Sequence, residues 1–172
     1  LILQSKAFDV LQQIAIATHE DSIMMVNGTI DPTLEVPKQV VRLRVLNGSA
    51  DRTYYLGMSD NSDFHLIASD GGLLSQPIQT NRVRLSTGER AEILIDFNAY
   101  AVGQSVNLVS YSSELPRGII GADSVGTATN PIGEGYYSNP LNGLDFSLVR
   151  FDVAVATSNP VVAIPSSFAP LI

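Results

Sequence analysis

The sequence has no cysteine. A disulfide, a thiolate nucleophile and a thiolate metal site are therefore all excluded. It has only two histidines, His19 and His65, and neither has another histidine two or four residues away. A copper or zinc site needs several nitrogen or sulfur donors converging on one point, so no metal ligand is assigned to this chain. Charge is sparse: 16% of residues are charged, and 17 acids against 10 bases leave a formal net charge of -7. Without a basic cluster the chain lacks the electrostatic footprint of a nucleic-acid or anionic-membrane binder. No apolar run approaches the roughly 20 residues that a membrane-spanning helix needs. There is no Gly-x-Ser-x-Gly elbow and no phosphate-loop lysine, which removes the commonest signatures of a serine hydrolase and a nucleotide binder.

What is present is an apolar, β-prone chain of 172 residues, 45% hydrophobic. That is enough for one domain with a sizeable core. Residues 40–46 alternate cleanly, with Val41, Leu43 and Val45 on one side and Arg42 and Arg44 on the other. This is the signature of a strand with one buried and one wet face. Strands are also expected over 1–4, 13–17, 23–26, 53–58, 64–69, 81–85, 90–97, 105–111 and 144–156. Arg82 and Arg84, like Arg42 and Arg44, read as a solvated strand face. Asn27-Gly28 and Asn47-Gly48 read as hairpin turns, although Asn27-Gly28-Thr29 and Asn47-Gly48-Ser49 also fit glycosylation sequons. No helical period is sustained. Short strands punctuated by turns predict an all-β sandwich or barrel.

The stretch Phe64-His65-Leu66-Ile67-Ala68-Ser69-Asp70-Gly71-Gly72-Leu73-Leu74 gathers a histidine, an acid and two glycines. Asp70-Gly71-Gly72 reads as a tight turn with a glycine at positive φ, sending Leu66 and Ile67, then Leu73 and Leu74, into the core. Glu89 reads as a turn residue and Glu92 as a solvated or salt-bridged one. Arg52 is expected to be a buried pair member or a donor to backbone carbonyls, with Asp70 or Glu89 as partner. Residues 112–143 are rich in Gly, Ser, Asn and Pro and lack periodicity, so they form a long loop of the kind that is functional or disordered. Prolines at 160, 165 and 170 mark an extended linker over 159–172, which leaves a domain over 1–158. Both ends read as cut from a longer polypeptide.

Four motifs in order carry a family resemblance: Met25-Val26-Asn27-Gly28; Val41-Arg42-Leu43-Arg44-Val45-Leu46-Asn47-Gly48-Ser49 with Arg52 and Tyr54; Leu66-Ile67-Ala68-Ser69-Asp70-Gly71-Gly72-Leu73-Leu74; and Thr87-Gly88-Glu89-Arg90-Ala91-Glu92-Ile93-Leu94-Ile95-Asp96-Phe97. Together they resemble the second, cupredoxin-like domain of three-domain multicopper oxidases, the group of laccases, spore-coat oxidases and cuprous oxidases. The resemblance implies a Greek-key β-sandwich and a periplasmic or secreted parent enzyme. That parent holds copper, oxidises phenols or metal ions, and reduces dioxygen to water. It also implies that the copper ligands belong to the first and third domains, as His-x-His and His-Cys-His motifs that are missing here. The second domain then bridges those partners and helps wall the substrate pocket, with 112–143 the place to look for the wall. By this reading the chain alone is inactive, and its exposed docking faces promote self-association. Two other readings compete: a ligand- or glycan-binding sandwich that uses 112–143, and, less favoured, a hydrolase dependent on His65 or His19.

Overall fold

A computed structural model describes residues 1–15, 21–125 and 135–168. Twelve strands run in chain order: β1 (Ile2–Lys6), β2 (Ile23–Val26), β3 (Thr29–Ile30), β4 (Thr33–Pro37), β5 (Val40–Asn47), β6 (Tyr54–Met58), β7 (Phe64–Ser69), β8 (Gly72–Thr80), β9 (Val83–Leu85), β10 (Arg90–Asp96), β11 (Ser105–Ser110) and β12 (Phe146–Ala154). They form two mixed sheets. The seven-stranded sheet has the order β3-β2-β1-β5-β10-β7-β8, and the five-stranded sheet β4-β12-β11-β6-β9.

The alternation in the sequence explains the layering. On β5, Leu43 and Val45 are buried while Arg42 and Arg44 are exposed; on β10, Ala91, Ile93 and Ile95 point the same way as Leu43 and Val45. These residues meet Tyr54, Leu56 and Met58 of β6, Leu108 of β11 and Phe151 of β12 in one continuous core between the sheets. Phe97 sets its ring edge-on to Phe151, centroids 5.3 Å apart, a favoured aromatic geometry.

Three expectations are corrected by this architecture. Residues 13–15 form no strand; Phe8 and Ile14 make an isolated bridge across a tight turn, and 16–17 lie outside the described residues. Asn47-Gly48 is not a hairpin turn. It ends β5, which belongs to the seven-stranded sheet, and the chain then crosses to β6 in the other sheet. Nor do Leu73 and Leu74 enter the core. The Asp70-Gly71-Gly72 turn closes a β7–β8 hairpin with Gly72 at φ 107°, but β8 is an edge strand. Leu73 is exposed and Leu74 half-buried there. Pro77 is tolerated in β8 because an outer edge needs no donor.

Residues 159–168 have no regular secondary structure. They lie against the outer face of the seven-stranded sheet. Val40 N donates to Val161 O at 2.7 Å and Phe168 N to Ser75 O at 3.1 Å. Ile164 and Phe168 cover Val40, Ile67 and Leu94, a small second apolar cluster. This explains why Leu94 is buried although it sits among the outward residues of β10.

Candidate functional site

The most heavily built polar feature is a buried knot around Arg52, at the corner where β5 crosses to β6. Asn47 starts it: its Nδ2 donates to Arg52 O (2.7 Å) and Leu85 O (3.0 Å), and its Oδ1 accepts from Ser49 N (3.0 Å). Ser49 Oγ accepts from Ser5 N (2.9 Å) and lies 2.6 Å from the Tyr54 hydroxyl. Arg52 is 1% exposed. Its guanidinium donates to Leu141 O (2.7 Å), Asp21 O (2.9 Å) and Asn142 Oδ1. Burial pulls the Arg52 pKa down from its ordinary value, while nearby Tyr54, Asp51 and Asp21 oppose that shift.

Arg52 therefore does act as a donor to backbone carbonyls, but through different partners from those expected. Asp70 pairs with Arg90 (2.8 Å), and Glu89 accepts from Ser86 N (2.6 Å) inside its own turn.

The knot holds the region after β11. A 3₁₀ turn, Ser112–Glu114, and a single helical turn, Gly135–Ser138, flank it. The Tyr136 hydroxyl accepts from Gly121 N (2.9 Å) and donates to Ala122 O (2.8 Å). Asn139 Nδ2 donates to Asp21 O (2.9 Å), and Asn142 Nδ2 to Tyr136 O (2.8 Å). Leu115, Ala122, Val125, Tyr136 and Leu141 are all buried. The described parts of 112–143 thus form a tied-down annex with several buried apolar side chains. Residues 126–134 lie outside the described residues.

Arg82 also departs from expectation. It is no solvated strand residue: its guanidinium stacks 3.5 Å over the Tyr111 ring and grips Glu114 with Nε (2.9 Å) and Nη2 (2.8 Å). That hydrogen-bonded carboxylate raises the Arg82 pKa. Gly57 makes the stack fit, since a Cβ there would lie 2.6 Å from Arg82 Nη1 and 2.8 Å from Tyr111 Cε2.

The outer face of the seven-stranded sheet carries a ladder of exposed ion pairs. Glu92 joins Arg42 and Arg44, the latter at 3.0 Å, and Asp70 joins Arg90. Beside them lies a recess of about 580 Å³, lined by Ile2, Leu46, Ala68, Leu73, Arg44 and Arg90 among others. His65 is half-buried on β7, opposite Leu94 of β10 and Gln79 of β8. His19 lies outside the described residues. Among the described residues no three His, Cys, Asp or Glu side chains come together to hold a metal. The donors present do not fit a copper centre, and no chemistry at copper is assigned to these residues. Of the two sequons, Asn27 is exposed, whereas Asn47 is buried with its amide committed.

The two-sheet sandwich is a cupredoxin-like fold. It superposes on the McoA multicopper oxidase 2F4 variant from the hyperthermophile Aquifex aeolicus with a TM-score of 0.77 at 24% identity, covering 99% of this chain and 34% of that one. It also superposes on the laccase-like multicopper oxidase CueO of Ochrobactrum sp., with a TM-score of 0.68 at 27% identity over 98% of this chain and 33% of that one. Residues 6–119 match the family model described as multicopper oxidase, and the chain belongs to that family. Among curated relatives, the cell division protein FtsP of Rahnella sp. (strain Y9602) is 44% identical over 87 residues, 51% of this chain and 18% of that protein. The laccase of Bacillus subtilis (strain 168) is also 44% identical over 87 residues, 51% of this chain and 17% of that protein. The chain thus spans less than a fifth of these relatives and about a third of the solved chains. No helix among the described residues is long and apolar enough to cross a membrane.

Proposed function

We propose that this chain is the middle domain of a three-domain multicopper oxidase. In this reading residues 1–158 form a structural bridge between two copper-bearing domains, and 159–172 lead toward the third. The observation that carries it is that a laccase and a cell division protein are matched at the same 44% identity over the same length. Equal similarity to proteins with such different names supports a shared scaffold, with the reaction supplied elsewhere in the parent. The parent would oxidise phenolic or metal-ion substrates while reducing dioxygen to water, in the periplasm or outside the cell.

An exposed apolar tip supports the bridging role. The turn over residues 7–15 is braced by Asp9, whose Oδ1 accepts from Leu11 N (2.8 Å) and Gln13 N (2.9 Å). It holds Val10 at 99%, Leu11 at 73% and Ile14 at 64% exposure. Apolar side chains presented on so firm a turn suit a surface that is covered in the whole protein. In isolation the same tip would promote self-association. In this reading the described parts of 112–143, tied down through Arg52 and Tyr136, contribute to the pocket wall.

The test is reconstitution in trans. The parent oxidase is expressed without these residues, and this chain is added back. Restored oxidase activity, with activity lost when the added chain carries Val10→Asp and Leu11→Asp, is the expected result. Full activity of the deleted parent without the chain would overturn the bridging role.

A further inference from the structure

The chain contains three Asn-Gly dipeptides, at 27–28, 47–48 and 142–143. In this dipeptide the glycine backbone nitrogen can attack the asparagine side-chain carbonyl carbon. A C–N bond forms, Nδ2 leaves as ammonia, and a cyclic succinimide results. Water then opens the ring at either carbonyl to give aspartate or isoaspartate. Glycine favours the attack because no Cβ shields its nitrogen. The fold decides which dipeptide can react. The amide must be reachable by water, its leaving nitrogen must be unheld, and the glycine N–H must not be tied to an acceptor.

Two of the three fail these conditions. Asn47 is 0% exposed and its Nδ2 is held by Arg52 O and Leu85 O, while Gly48 N donates to Leu3 O at 2.8 Å. Asn142 Nδ2 is held by Tyr136 O and its Oδ1 by Arg52, while Gly143 N donates to Gly121 O at 2.9 Å.

Asn27 meets them. It sits exposed at the tip of the β2–β3 hairpin, with φ 52° at Asn27 and 79° at Gly28. Neither its Nδ2 nor Gly28 N has a hydrogen-bond partner among the described residues. Its Oδ1 accepts from Ile2 N at 2.8 Å. That donor lies on the oxygen that becomes negative when the ring closes, so it stabilises the tetrahedral intermediate. The space beside Gly28 is open, with no atom within 4 Å of where a Cβ would stand. A recess of about 220 Å³, lined by Asn27, Thr29 and Thr33 among others, adjoins the amide and gives water access.

We propose that Asn27 is a site of spontaneous deamidation, while Asn47 and Asn142 are spared by the fold. The product adds a negative charge to an already acidic chain. In its isoaspartate form it also inserts a methylene into a two-residue loop. That loop sets the pairing of Val26 with Thr29 and Met25 with Ile30, so isoaspartate releases β3 from the edge of the seven-stranded sheet.

The purified chain is aged at mildly alkaline pH and digested, and its peptides are mapped by mass spectrometry with an isoaspartate-specific methyltransferase assay. A parallel sample is aged in denaturant. The folded chain is expected to convert Asn27 at least roughly tenfold faster than Asn47 or Asn142, because each hydrogen bond that must first be broken and each buried amide slows the reaction by a comparable factor. In denaturant the three are expected to convert at similar rates. Gly28→Ala, read at the same peptide, is expected to slow Asn27 alone. Equal conversion of the three sites in the folded chain would overturn the proposal. So would an intact Asn27 in the folded chain when the denatured sample converts.

Discussion

Two polar regions of this molecule are each built around arginine and do different work. On the outer face of the seven-stranded sheet, the exposed Arg42, Arg44 and Arg90 pair with half-buried Glu92 and exposed Asp70. At the β5–β6 corner, Arg52 is sealed from solvent and donates to carbonyl oxygens from two distant segments. Exposed pairs are screened and contribute little. A buried guanidinium is costly to desolvate, but once its acceptors are in place, removing it strands all of them. The outer ladder is therefore expected to be replaceable, and the inner knot to determine whether the described parts of 112–143 stay docked.

Breaking the knot gives the largest effect. Arg52→Met is expected to cost about 3–4 kcal/mol, from buried carbonyls and an Asn142 side chain left without their donor. Urea unfolding measures the loss, and protease nicking within 112–143 reports the released annex. Next comes Gly57→Ala, which drives a methyl group into Arg82 and Tyr111. An overpacked contact of this kind costs about 2 kcal/mol, and thermal unfolding reads it. Tyr136→Phe removes one hydroxyl that accepts from Gly121 N and donates to Ala122 O; the expected loss is about 1–2 kcal/mol. At the small end, Arg90→Ala on the outer face is expected to change stability by no more than about 0.5 kcal/mol, and less in high salt. If Arg90→Ala cost as much as Arg52→Met, the contrast between the two regions would collapse.

Alkaline pH sharpens the contrast further. Tyr100 donates to Asp60 Oδ2 at 2.9 Å, and burial pushes its hydroxyl from 10.0 up to about 12. Its folded pKa is raised, so its contribution is fully present below pH 10 and is lost as pH rises toward about 12. Stability followed by circular dichroism across that window should fall, and Tyr100→Phe should flatten the fall. Asp70 behaves in the opposite sense. Hydrogen bonds from the Arg90 side chain and backbone hold its carboxyl below the usual value, so the pair weakens only as pH falls through the acid range. Its exposure keeps that effect small.

The strands were legible in the sequence wherever one face is wet. Val41, Leu43 and Val45 against Arg42 and Arg44 set the face of β5 without ambiguity. Period-two patterning says which side is apolar, but it does not say what covers the other side. That is why Leu94 and Ile67, buried under residues 159–168, and Leu73, exposed on an edge, were not separable beforehand. Arg82 and Arg84 share the same pattern, yet only Arg82 finds an aromatic ring and a carboxylate, because Gly57 clears the space. The annex was the least legible part. Tyr136 and Asn142 were the available signals, an aromatic and a turn asparagine inside a polar stretch, but their partners Gly121, Ala122 and Arg52 are distant in sequence. Of the two roles expected for Arg52, a buried pair or a donor to carbonyls, the fold provides the second, and its partners depend on tertiary placement.

The central claim is that this chain is scaffold and that copper belongs to other parts of the parent protein. Copper stoichiometry tests it most directly. The purified chain is incubated with excess copper, desalted, and assayed by elemental analysis and visible absorption. The account predicts copper far below one equivalent and no blue band. Close to one copper per chain with a blue band would contradict it.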